Sequence, residues 1–204
     1  MENRTYLSTE NHLLFETNNS LASFWLLGLN DRALSKLKND CLKLDELMGF
    51  DEEEEEWVEE QIQKLGLGEV TLSINSYRSQ LKENESYISE VYPELDRLFA
   101  EFYQTIEREQ ANGEKKILMN LFGYGAFYDS YQDFFKDISH LFQQLKERSR
   151  LNLIFDQDVI ASTIGFDMYS EHSEKKAIVA DVDLVKKSKR RSKIGKWLSK
   201  LIKN

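Results

Sequence analysis

One cysteine, one proline, nine glycines and three histidines are all that 204 residues contain of these types. The lone Cys41 excludes an internal disulfide and any Cys-rich metal knuckle. Its place in a helical pattern from Lys36 to Phe50 marks it as a small packing residue. A single proline, Pro93, and sparse glycine favour long uninterrupted helices over many short strands and tight turns. The densest apolar run, Leu21–Leu29, is far short of the ~20 residues that span a bilayer. The first residues, Met1–Tyr6, lack a basic stretch leading into an apolar one, so no secretion signal is read and a cytoplasmic protein is expected.

Catalytic signatures are missing as well. There is no Gly-x-Ser-x-Gly and no His-Glu-x-x-His, and Gly123-Tyr-Gly125 lacks the third glycine of a dinucleotide fingerprint. With Ala126, Phe127, Tyr128 and Tyr131 that segment reads as a tight turn feeding a helix, or as the lining of a small aromatic pocket. His12, His140 and His172 are scattered. Asp129, Asp133 and Asp137 recur every four residues, and Asp137 stands one turn before His140. Metal-binding bundles, however, need such a carboxylate–histidine pair on two helices with further glutamates. Asp156-Gln-Asp158 and Asp181-Val-Asp183 each set two acids on one side of an extended segment, as Mg²⁺ chemistry would use, but neither has a phosphate cradle. These absences point away from an enzyme. No catalytic residue, metal ligand or cofactor is expected.

What is present is apolar and aromatic material in quantity, with charge of opposite sign in two places. At 41% hydrophobic, with twelve Phe, nine Tyr and three Trp, the chain can build a core dominated by rings. It carries 27 basic and 36 acidic residues. Nine of the basic ones fall in Lys186–Asn204, which has no acid, so residues 1–185 hold 18 basic against 36 acidic and sum to −18. The expected organisation is an acidic globular domain over 1–185 and a basic amphipathic helix over 186–204. In that helix Ile194, Trp197, Leu198, Leu201 and Ile202 fall on one stripe, with Lys193, Lys196, Lys200 and Lys203 elsewhere on the wheel.

Along the body, Arg4–Leu7 suggests a short strand, and Ser20 suggests the cap of a helix through Leu27. Leu34, Leu37, Cys41, Leu44, Leu47 and Met48 keep helical spacing. Asp51–Lys64 reads as an acidic helix with a narrow stripe of Trp57, Val58, Ile62 and Leu65, ended by Gly66-Leu-Gly68. Val70–Ile74 fits a strand or the start of the helix carrying Tyr77, Leu81 and Ile88. Pro93 opens a helix with the stripe Leu95, Leu98, Phe99, Phe102, Tyr103 and Ile106. Ile117–Phe122 reads as a strand, and Phe127–Arg148 as the clearest helix. Leu151–Phe155 and Lys176–Val185 look β-like. The fold class expected is therefore α+β, mainly helical, with several long amphipathic helices and a few short strands.

Two segments are candidate binding elements. Asp51, Glu52, Glu53, Glu55, Glu56, Glu59 and Glu60 form a charged face that could fill a basic cleft on a partner and accelerate encounter; the plainer alternative is a solvated helix face. The basic helix, through Lys193, Ile194, Trp197, Leu198 and Leu201, could dock on the acidic body, lie on an anionic membrane surface or meet a partner protein. Nucleic acid is not expected as a partner, because a body at −18 repels phosphate.

The opening Asn3-Arg-Thr-Tyr-Leu7 together with the aromatic–aliphatic stretch Leu21–Leu29 resembles a group of small bacterial proteins that look like cytoplasmic immunity proteins encoded beside toxins. The resemblance covers about the first thirty residues, contains no catalytic motif, and does not extend to the basic tail. It implies a non-enzymatic protein that binds one toxin tightly and blocks its active site or its folding. The alternative is a peripheral membrane adaptor anchored by the basic C-terminal helix.

Overall fold

The computed structural model describes residues 4–18, 20–47, 55–125, 127–150 and 163–167. Asp51–Glu54, the β-like segments Leu151–Phe155 and Lys176–Val185, the Asp156/Asp158 and Asp181/Asp183 pairs and the whole 186–204 segment lie outside them.

Alternation buries Thr5 and Leu7 of β1 (Arg4–Ser8) and leaves its other residues wetter, the pattern of a strand with one covered face. β1 pairs antiparallel with β2 (Leu13–Asn18). The Thr5 and Thr17 hydroxyls meet at 2.5 Å across that register, and Thr17 also donates to the Ser20 carbonyl at 2.6 Å, so both buried hydroxyls are partnered. β3 (Glu69–Ser73), β4 (Lys116–Asn120) and the two-residue β5 (Phe166–Asp167) complete an antiparallel sheet in the order β3-β4-β1-β2-β5. Val70–Ile74 thus resolves into a strand followed at once by a helix: Ser73 ends β3, and its hydroxyl accepts from the Ser76 amide to cap α3 (Ile74–Glu83).

The remaining helices are α1 (Asp31–Leu47), α2 (Glu55–Leu65), α4 (Glu85–Val91), α5 (Asp96–Ala111), α6 (Phe122–Gly125) and α7 (Tyr131–Lys146). The protein is α+β and mainly helical. Pro93 opens a 3₁₀ turn, Pro93–Leu95, that leads into α5. α1 and α7 run antiparallel. Lys146 at the end of α7 pairs with Asp31 at the start of α1 at 2.5 Å, while Asp45 near the end of α1 meets the first residues of α7. None of the described helices is long and apolar enough to cross a membrane.

The core is ring-rich, with Trp25, Tyr77, Tyr87, Tyr92, Tyr131, Phe15, Phe24, Phe102 and Phe134 fully buried. Each such side chain contributes about 1.5–3 kcal/mol of burial, and the polar ends are mostly tied to backbone. Trp25 Nε1 donates to the Ile164 carbonyl at 2.9 Å, the Tyr77 hydroxyl to the Trp25 carbonyl at 3.0 Å, and the Tyr87 hydroxyl to the Ser149 carbonyl at 2.6 Å.

Three sequence expectations shift. Ser20 does not cap a helix. The segment after it is a 3₁₀ helix, Ser23–Gly28, whose capping residue is Ala22 and makes no side-chain bond. Every residue from Leu21 to Leu29 is buried, so packing from all sides, rather than an amphipathic period, sets its conformation. The helix expected from Phe127 begins instead at Tyr131, because Ser130 takes the capping position and its Oγ accepts from the Asp133 amide at 3.1 Å. The strand read over Ile117–Phe122 ends at Asn120, and Phe122 starts α6.

Candidate partner-binding surface

α7 begins in a cap built by two side chains, Asp45 and Ser130. The Asp45 carboxylate accepts from the Tyr131 amide at 2.6 Å and the Gln132 amide at 2.9 Å, the Ser130 hydroxyl takes the Asp133 amide, and the Ser130 carbonyl takes the Phe134 amide at 3.2 Å. The amides of the first three helical residues, which a helix start leaves without an intrahelical acceptor, are thereby used, and the negative charge sits at the positive end of the α7 dipole. This contact fixes the end of α1 against the start of α7.

Beside it stands an aromatic cluster. Tyr124 packs against Phe127, Tyr128 and Phe134 with ring centroids 5.7, 6.0 and 6.3 Å apart, and Tyr128 meets Phe134 at 5.5 Å. The core side of the cluster is closed by Phe134, which is buried, whereas Phe127 is 42% exposed. The Tyr128 hydroxyl donates to Asp137 Oδ2 at 2.9 Å. Burial first, then Tyr124 and the neighbouring Asp137, push the Tyr128 phenol far above its ordinary range, so it remains a donor at neutral pH. The Gly123-Tyr-Gly125 segment is thus a short helix rather than a phosphate loop. Gly123 is required because a Cβ there would collide with the Arg4 backbone carbonyl.

The charges around these rings are mostly negative. Asp129 and Asp137 are exposed, and among the described residues neither has a cation partner. Asp133 pairs with Lys136 at 2.7 Å, a bond that holds its carboxyl below the usual range. Over the rest of the surface, many carboxylates hold a cation: Glu10 with Lys116, Glu85 with Lys82, Glu94 with Arg150, and Glu16 with Arg4. The acidic run Asp51–Glu56 begins five residues after Glu46, a span of at most about 17 Å.

Among the acids singled out from sequence, Asp51, Glu52 and Glu53 lie outside the described residues, as do Lys193, Ile194, Trp197, Leu198 and Leu201 of the tail. Glu55, Glu56 and Glu59 belong to the first turns of α2, and Glu60 is exposed on it. The expected apolar stripe of α2 is covered in part: Ile62 packs on the core, but Trp57 is 45% and Leu65 49% exposed. The C-terminal end of α2 is anchored by Lys36, whose ammonium donates to Asp40 at 2.5 Å and to the Gly66 and Glu69 carbonyls at 3.3 and 2.8 Å. Gly66, at φ 57°, makes the left-handed exit that ends α2.

The remaining titratable groups are engaged separately. Asp133 is held by Ser130 and Lys136 and Asp137 by Tyr128, and among the described residues no three His, Cys, Asp or Glu side chains converge as metal ligands would. Sequence reading missed the grouping of His12 with Glu109, Glu114 and Asn11, because the two halves are about a hundred residues apart. His12 Nδ1 lies 2.9 Å from Glu109 Oε2, and Asn11 Nδ2 donates to Glu114 at 2.7 Å. The Thr9 hydroxyl accepts from the His12 amide at 3.0 Å. This group braces the β1–β2 hairpin against the end of α5. No protein-family model matches the chain, and no match is found among curated proteins or solved structures.

Proposed function

We propose that the protein is a non-enzymatic binding protein that captures a cationic protein partner, as an immunity protein captures its toxin. The observation that supports this reading is the pair of exposed carboxylates without a cation among the described residues, Asp129 and Asp137, beside the exposed ring of Phe127 and the Tyr124–Tyr128 cluster ahead of α7. Rings ringed by unneutralised acid suit Lys and Arg side chains, which can stack on the aromatic faces while their charge is met at the rim. Complementary charge of this kind mainly raises the association rate.

The test uses the product of the neighbouring gene as the partner and measures association at several ionic strengths. Changing Glu52, Glu53, Glu55 and Glu56 together to Gln should slow association and flatten its salt dependence, with dissociation affected less. An association rate indifferent to both salt and the substitutions would refute the reading.

A further inference from the structure

The aromatic–acidic surface has a cationic, apolar-striped candidate occupant in the chain itself. We propose that the segment Lys186–Asn204 docks on it in cis, laying Trp197 and its apolar neighbours against Phe127 and Tyr124 while its lysines meet Asp129 and Asp137. The proposal concerns the same surface assigned above to a partner, so the tail would be the ligand that a partner must displace.

Three observations carry it. Phe127 is 42% exposed over the Tyr124–Tyr128 cluster, an apolar footing that water alone covers poorly. The carboxylates beside it, Asp129 and Asp137, have no cation among the described residues, whereas the segment has nine Lys and Arg and no acid. The reach is ample. The last described strand ends at Asp167, nineteen residues before Lys186. Extended, that length covers about 60 Å, against a body whose radius of gyration is about 15 Å for its size. A tethered ligand of this kind sits at an effective concentration in the millimolar range, so even a weak contact is populated.

On the sheet and the α5 side Glu10, Glu16, Glu94 and Glu107 already pair with Lys116, Arg4, Arg150 and Arg78, and docking on those four would exchange one ion pair for another. Asp129 and Asp137 have no cation among the described residues to give up, and they stand beside an exposed aromatic ring.

The experiment labels the full chain with 5-fluorotryptophan and follows its three fluorine resonances, assigned by Trp25→Phe, Trp57→Phe and Trp197→Phe. In dilute protein at low salt and without partner, the Trp197 resonance should be shielded from solvent and from acrylamide. It should move to the exposed position in 1 M salt, where the Debye length is about 3 Å. Asp129→Asn with Asp137→Asn should release it, as should Phe127→Ala, in variants whose circular dichroism is unchanged. A Trp197 already exposed at low salt overturns the proposal, and so does a shielded Trp197 that ignores these substitutions. A Trp197 that becomes shielded only on addition of phosphatidylserine vesicles also overturns it, in favour of a membrane-surface helix. Because no partner is present, the outcome is independent of whether the partner reading above survives.

Discussion

Removing the Asp45 carboxylate tests whether α1 holds the start of α7. In Asp45→Ala two amide donors, those of Tyr131 and Gln132, lose acceptors at 2.6 and 2.9 Å. A buried donor left unpaired costs about 1–3 kcal/mol, but Gln132 is exposed and can turn to water, so the cost concentrates on Tyr131. Loss of a negative charge at a helix N-terminus adds about 0.3–1 kcal/mol. The expected loss is therefore about 2–3 kcal/mol, at and above the upper end of the range of about 0.5–2 kcal/mol for a lost cap, because one carboxylate serves two amides. For a chain of this size it corresponds to a fall in Tm of roughly 4–12 °C. Asp45→Asn keeps one acceptor oxygen and should lose about half as much. Ser130→Ala removes the bond to the Asp133 amide and should cost about 1 kcal/mol. Urea unfolding followed by circular dichroism reads all three, and the double variant Asp45→Ala/Ser130→Ala should show coupling, since both serve one helix start. A loss below about 0.5 kcal/mol for Asp45→Ala would place it among ordinary surface changes and refute the tethering argument.

Two further outcomes follow from the packing. Burial first, then the nearby charges of Asp45 and Asp40, push the Cys41 thiol from 9.0 up to about 12, so Ellman's reagent at pH 8 should react with it only after unfolding. The fold accommodates the neutral thiol. That contribution to stability is complete below pH 9 and is lost as pH rises toward 12, so the stability difference between the native chain and Cys41→Ala should shrink over that window; a constant difference would show no coupling. Gly123→Ala should cost about 3 kcal/mol, measured by thermal unfolding, because its Cβ meets the rigid Arg4 carbonyl rather than a side chain that can move; a near-neutral change would mean that α6 shifts freely away from β1.

The sequence by itself determined the mainly helical α+β class and most of the long elements. The stripes of α1, α5 and α7 repeat at 3.6 residues, and that period is legible wherever one face is buried and the other wet. β1 was readable for the same reason at period two. The acidic run and the basic tail were equally plain, since charge runs need no fold to be seen. Where burial surrounds the chain, as from Leu21 to Leu29, no period exists to read, and only packing chose a 3₁₀ helix over a capped α-helix. β2 carries Leu14, Phe15 and Thr17 buried in a mixed pattern, and its assignment depended on pairing with β1. The start of α7 was misplaced because its cap is completed by Asp45, 86 residues away in sequence. The candidate surface was hidden for a related reason. Tyr124, Tyr128 and Asp137 are close along the chain but share no helical or strand period, and they meet only because their rings pack on buried Phe134 and the Tyr128 hydroxyl reaches Asp137.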